Sequence, residues 1–106
     1  MSWNITYLSE AKRDFARLDH SQQILVTKAL LKVSANPVSE QEGGYGKPLG
    51  NKHGLNLSGL FKIKLRGSGI RIVYRLVKVK SEMLIVVIGM RNDDEVYEEA
   101  RRRMDK

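Results

Sequence analysis

Apolar and basic residues alternate along residues 60–66 and 69–78, the period-two pattern of a β-strand with one face in a core. Residues 83–91 are mostly apolar at both odd and even positions, which predicts a central strand covered on both faces. Residues 3–8 form a shorter mixed run that we interpret as a further strand. The chain therefore has four predicted strands, and three of them are consecutive.

A helical hairpin is predicted between the first strand and the other three. Ser9 can cap a first helix that runs to about residue 18, with apolar side chains at three- and four-residue spacings. Asp19 begins a longer second helix, with Gln22 in the position that completes a capping box. This helix ends before Pro37, because proline disfavours helical geometry in the preceding residue.

A last helix begins at Asp93 or Asp94 and runs through residue 104, with acids first and arginines last, as the helix dipole favours. Residues 37–56 have no sustained period and predict a long surface loop. The order β-α-α-β-β-β-α predicts one α+β domain over residues 1–106. It has a small, mainly antiparallel four-stranded sheet, with the helical hairpin on one face and a C-terminal helix.

Composition narrows the class of protein. A chain of 106 residues forms one domain, and the absence of cysteine excludes disulfides, thiolate nucleophiles and cysteine metal sites. The longest apolar run, residues 83–90, is too short to span a bilayer, and the first residues lack a signal-peptide core. We therefore expect a soluble, cytoplasmic protein without membrane contact.

Positive charge is concentrated in one part of the chain. Residues 43–81 contain nine Lys or Arg residues and no acid, whereas the whole chain carries +7, so the remainder sums to −2. Such a region is expected to attract polyanions, and a basic sheet face is a candidate RNA surface. The cations that we predict to bind RNA are Lys47, Lys52, Lys62, Lys64, Arg66 and Arg75.

The register of the β-hairpin determines which cations meet. A two-residue turn at Gly67 and Ser68 places Lys64 opposite Arg71 and keeps apolar residues opposite one another. A three-residue turn would mix the two faces, which burial forbids. The chosen register also brings Lys62, Arg66 and Arg75 near the pair.

Like charges opposite each other destabilise a sheet by about 0.2–1 kcal/mol. One interpretation is a phosphate site, in which crowded cations also lower the pKa of a lysine. The other is a solvated basic face with no ligand. Because nine cations have no acid among them, we favour the phosphate site.

Two residues near the C-terminus are further candidates for the phosphate site. Arg91 follows the most apolar strand, and Tyr97 comes one to two turns into the last helix, although Tyr97 can equally be a buried helix residue with a bonded hydroxyl. The two histidines, His20 and His53, show no metal-ligand spacing, so we expect neither a metal nor another cofactor.

The run KIKLRGSGIRIVY, followed by GMR and then EVY, resembles the RelE toxins of the RelE/ParE superfamily. The resemblance implies the toxin of a type II toxin–antitoxin pair, an endoribonuclease that cuts mRNA in the ribosomal A site. Its implied partners are a cognate antitoxin, mRNA and the ribosome with its 16S rRNA, and operator DNA only through the antitoxin. Ile70 and Met90 depart from the family, which often has an aromatic residue and a lysine there.

By position, the resemblance assigns the catalytic roles to Lys62, Lys64, Arg71, Arg91 and Tyr97. Lys64 or Tyr97 would deprotonate the RNA 2′-hydroxyl, and cationic side chains would stabilise the phosphorane and the leaving oxygen. The main alternative is a ParE-like inhibitor of DNA gyrase without nuclease activity. A third is a plain nucleic-acid-binding module.

Overall fold

The computed structural model describes residues 2–52, 54–90 and 92–105. In the described part of the chain, five strands and three α-helices make an α+β domain. The strands are β1 (Asn4–Tyr7), β2 (Lys47–Lys52), β3 (Leu55–Leu65), β4 (Ile70–Val77) and β5 (Glu82–Gly89). The helices are α1 (Ser9–Ala16), α2 (His20–Ser34) and α3 (Asp93–Met104), and the turns at Glu40–Glu42 and Lys78–Lys80 are short 3-10 helices.

The strands form one mixed sheet in the order β1-β5-β4-β3-β2, with β1 parallel to β5 and the other neighbours antiparallel. The α+β class is confirmed, but the prediction of four strands is wrong because β2 lies inside the predicted loop 37–56. The register of β2 against β3 shifts between Pro48 and Gly50. A proline, a glycine and a shifted register remove the alternation by which a strand is detected in sequence.

The helical hairpin forms as predicted, with one changed cap. The Asp19 carboxylate accepts from the Gln22 amide at 2.8 Å, and the Gln22 side chain accepts from the Asp19 amide at 3.0 Å. This confirms the capping box. The N-cap of α1 is Leu8 without a side-chain cap bond, so the assignment of that cap to Ser9 is wrong by one residue.

Helices cover both faces of the sheet. On one face, α1 and α2 pack against alternate residues of β4, including Ile70, Ile72 and Tyr74. On the other face, Val73 packs with Val96 and other residues of α3. The face that carries the predicted cations is therefore partly covered by α3. No helix in residues 2–52, 54–90 and 92–105 is long and apolar enough to cross a membrane.

The predicted pairing of β3 with β4 is confirmed, because Lys64 lies opposite Arg71 and Leu65 opposite Ile70. The turn itself is wider than predicted and comprises residues 66–69. Gly67 and Gly69 both have positive φ, at 87° and 77°, where glycine is favoured. The Ser68 amide donates to the Leu65 carbonyl at 3.3 Å. The face alternation fixed the register, whereas the turn type depended on local backbone geometry.

A candidate anion-binding site at the end of the hairpin

The Lys64–Arg71 pair meets an acid from another part of the chain. One oxygen of Asp93, Oδ2, accepts from Lys64 Nζ at 2.8 Å, and the other, Oδ1, accepts from Arg71 Nε. The expectation that no acid neutralises the central cations is therefore wrong. Residues 43–81 do lack acids, but α3 begins beside them and supplies one across the sheet. We call Lys64, Arg71 and Asp93 the bridged triad.

The local sequence explains why Asp93 lies there. Asn92 caps α3, because its side chain accepts from the Glu95 amide at 3.0 Å, and Asp93 is the first residue of the helix. From the sequence alone, the helix dipole is a sufficient reason for acids at this position. The packing of α3 over the sheet gives Asp93 a second role, because it forms ion pairs with Lys64 and Arg71.

The charged side chains of the bridged triad bond to one another and are partly open to solvent. Hydrogen bonds from Lys64 and then from Arg71 lower the pKa of Asp93, against the opposing effect of partial burial. Arg71 is oriented further, since one of its terminal nitrogens donates to the Gly69 carbonyl at 2.8 Å. The side chains of Lys64, Arg71 and Asp93 are 42%, 27% and 30% exposed. A small ligand can therefore reach all three.

Tyr97 lies close to the triad but is buried, with 2% of its surface exposed. Burial raises the pKa of its hydroxyl and the negative charge of Asp93 raises it further, while Arg71 lowers it. This placement agrees with the interpretation of Tyr97 as a buried helix residue. The pKa shift opposes a role as a proton acceptor near neutral pH.

Other predicted cations extend the site on one side. Lys47 is paired with Lys62 across β2 and β3, so β2 brings Lys47 beside a residue that was expected in the site. Arg66 lies in the turn next to the triad, and a shallow pocket of about 250 Å³ is lined by Lys64, Arg66, Arg71 and the turn glycines. The positive surface is therefore larger than the hairpin alone.

Two of the predicted residues lie away from this cluster, and a third is outside the described residues. Arg75 lies four residues along β4 from Arg71, among residues from the other end of α3, so its placement near the pair is wrong. Lys52 pairs with Leu55 at the far end of β2 from Lys47. Arg91 is outside the described residues, as is His53.

A second charged cluster lies at the C-terminal end of α3. Arg103, only 8% exposed, donates to Asp14 at 2.7 Å, to Glu99 at 2.7 Å and to the Val86 carbonyl at 2.8 Å. Arg102 bonds to Glu99 and, at 2.7 Å, to Glu10. These bonds lower the pKa of Glu99 to about 2. We call this set the C-terminal cluster.

Asp93 was the functional candidate that sequence reasoning missed. Its signal was present but ambiguous, because an acid just after a buried strand and at a helix start has a sufficient local explanation. Among the residues that the structure describes, no group of three or more His, Asp or Glu side chains is arranged to hold a metal ion.

No family model matches the chain. The mRNA interferase toxin RelE of Escherichia coli K12 is 28% identical over 104 residues, which is 98% of this chain and 99% of the relative. The mRNA interferase RelE of Shigella flexneri matches to the same extent. A solved structure of a substituted E. coli RelE toxin in the free state superposes with a TM-score of 0.76, at 27% identity over 98% of this chain and 99% of that one. In sequence and in fold, the chain resembles RelE toxins over almost its whole length.

A structure with a bound antitoxin peptide agrees with this resemblance. The same E. coli toxin variant in complex with an antitoxin RelBc peptide superposes on this chain with a TM-score of 0.71, at 26% identity over 94% of this chain and 95% of that one. The resemblance and the α+β fold predicted from sequence are thereby confirmed. The roles of the individual site residues stay predictions.

Proposed function

We propose that this protein is a RelE-type toxin, an endoribonuclease that cleaves mRNA in the ribosomal A site and so inhibits translation. The observation that carries the proposal is the cationic pair Lys64–Arg71, which is partly exposed at the end of a β-hairpin and flanked by further cations. Relatives that are named mRNA interferases cover this chain almost completely. A phosphodiester is the ligand that such a site fits best.

The proposed reaction begins with removal of the proton from the RNA 2′-hydroxyl. Lys64 is the better candidate for this base, because it is exposed, whereas Tyr97 is buried and its pKa is raised. The 2′-oxygen then attacks phosphorus, the bond to the 5′-oxygen of the next nucleotide breaks, and the leaving 5′-oxygen takes a proton from water. The products are a 2′,3′-cyclic phosphate and a 5′-hydroxyl.

The remaining roles are electrostatic. Arg71 holds the non-bridging oxygens, which gain negative charge in the phosphorane, and Lys62 adds positive charge on the same side. Arg91 is proposed to act at the leaving oxygen on the strength of the sequence resemblance. The proton transfers in this scheme use a side chain, substrate groups and water, so the scheme requires no metal and no cofactor.

We propose a cognate antitoxin as the protein partner. The E. coli relative forms a complex with an antitoxin peptide, and this chain carries a net charge of +7 that an acidic segment would complement. Binding should weaken with salt yet persist through apolar contacts. Contact with operator DNA is proposed only through the antitoxin.

The direct experiment adds purified toxin to ribosomes that are stalled on a defined mRNA and maps the cut by primer extension. We expect one cut within the A-site codon, and none with the same mRNA free in solution. A matched mRNA with a single 2′-deoxynucleotide at the cut site should resist cleavage. Cleavage of that mRNA would exclude attack by the 2′-hydroxyl.

The same preparation tests the ParE-like alternative. Inhibition of DNA gyrase supercoiling, with intact mRNA on the ribosome, would replace the nuclease proposal. Binding of RNA without cleavage on ribosomes, and without an effect on gyrase, would identify a plain binding module.

A further inference from the structure

The Asp93 carboxylate joins two cations that face each other across the hairpin. Its two oxygens, carried on one carbon, accept from Lys64 and from Arg71. A phosphodiester presents its two non-bridging oxygens in the same manner, from one phosphorus atom. The carboxylate therefore has the form of an internal substitute for a substrate phosphate.

The ion pairs of the bridged triad are weak enough to be exchanged. Its three side chains are between 27% and 42% exposed, and solvent-exposed ion pairs contribute about 0–1 kcal/mol to stability. The shallow pocket beside Lys64, Arg66 and Arg71 gives a ligand access to the same donors. Because none of the three side chains is fully buried, an incoming anion can displace Asp93 from Lys64 and Arg71.

We propose that Asp93 competes with the RNA phosphodiester for Lys64 and Arg71. In the free toxin the carboxylate holds both cations in place and lowers their affinity for passing phosphates. A substrate phosphate takes over both donors only when its position is fixed by other contacts. Asp93 thus makes the toxin selective for positioned RNA, an inference that builds on the proposed function.

Competition predicts a specific change in RNA affinity. When the carboxylate is removed, Lys64 and Arg71 both become available to phosphate, whereas in the wild type each must first leave Asp93. Every added phosphate contact on a single strand steepens the dependence of log K on log salt by about 0.7. An Asp93 variant should therefore bind RNA more tightly and with a steeper salt dependence.

The test measures binding of a fully 2′-O-methylated RNA oligonucleotide, which cannot be cleaved through its 2′-oxygen, by fluorescence anisotropy. Asp93→Asn removes the charge and keeps the shape, and Asp94→Asn makes the same charge change one residue further along α3. We expect about tenfold tighter binding for Asp93→Asn and no more than twofold for Asp94→Asn, at equal salt. Circular dichroism verifies folding, and Asp93→Ser replaces Asp93→Asn if that variant is unfolded.

A double variant sharpens the result. If Asp93 competes for Arg71, the gain from Asp93→Asn should shrink to about threefold or less when Arg71→Gln is also present. Equal tightening in the Asp93 and Asp94 variants would mean a net-charge effect and would overturn the proposal. Weaker binding by Asp93→Asn would overturn it too, since Asp93 would then assist binding.

Because the oligonucleotide is not cleaved, the outcome is independent of nuclease activity. Tighter binding by Asp93→Asn, in a protein that leaves mRNA intact on ribosomes, would retain the competition and reject the proposed function. Unchanged binding by Asp93→Asn, in a protein that cuts mRNA on ribosomes, would reject the competition and retain the proposed function.

Discussion

The two ends of α3 use the same kind of interaction for different purposes. At the N-terminal end, one carboxylate is shared between two partly exposed cations, and further cations lie nearby on β2 and in the turn. At the C-terminal end, Arg103 is almost fully buried and meets several acids. The first end has an excess of positive charge, whereas the second has three acids for two arginines. An ion pair indicates a site for an anion only where positive charge is left over and solvent has access.

The largest effect on stability is expected at the C-terminal cluster. Arg103→Ala should lower the free energy of unfolding by about 3–5 kcal/mol, because it leaves the carboxylate of Asp14 buried without this cation. Arg101→Ala is the matched control, since Arg101 makes an exposed pair with Asp105 and should cost less than about 1 kcal/mol. Urea denaturation measures both. Similar losses in the two variants would contradict the contrast in burial.

The largest effect on activity is expected at the other end. Arg71→Ala should reduce mRNA cleavage on ribosomes at least about a hundredfold, the typical cost of removing a transition-state donor. Its stability should change by less than about 1 kcal/mol, because the side chain is partly exposed. Arg75→Ala, on the same strand but away from the triad, should retain most of the activity. A fully active, folded Arg71→Ala protein would disprove the site.

The acid stability of the protein should depend on the C-terminal cluster. Bonds from Arg102 and Arg103 lower the pKa of Glu99 from 4.5 to about 2. Because this pKa is lower in the folded protein than in the unfolded chain, the ionised Glu99 carboxylate stabilises the fold at pH values above 4.5. This contribution is lost as the pH falls from 4.5 through about 2. Glu99→Gln should be less stable than the wild type at pH 7 and should lose less stability between pH 5 and 2.

Glu98→Gln is the control for this titration, because Glu98 is the exposed neighbour of Glu99 on α3. Its denaturation profile between pH 5 and 2 should follow that of the wild type. If Glu99→Gln keeps the full pH dependence, the cluster does not supply the acid sensitivity.

The smallest effect is expected from the outer cations of the site. Lys47→Gln should weaken binding of 2′-O-methylated RNA a few-fold and reduce the salt slope by about one phosphate contact. Lys80→Gln removes the same charge from the turn between β4 and β5, away from the site, and should leave the slope unchanged. Equal slopes for the two variants would mean that Lys47 acts only through the net charge.

The cationic pair could be predicted from the sequence because its position depends on a local rule. Alternation of apolar and basic residues fixed the register, and the register placed Lys64 opposite Arg71. The neutralising acid could not be predicted, because Asp93 is 22 residues from Arg71 and meets it only through the packing of α3. Arg75 was wrongly predicted to lie near the pair, because two residues on the same face of a strand can still be far apart along it.

The sequence by itself determined the α+β class, the helical hairpin with its Asp19 cap, the basic face and the family resemblance. These follow from periodicity, capping and charge, which act over a few residues. Only the tertiary structure decided that residues 47–52 pair as an edge strand, that Tyr97 is buried and that Asp93 joins Lys64 to Arg71. Each of these depends on contacts between distant segments, whose free energy appears only when the chain has packed.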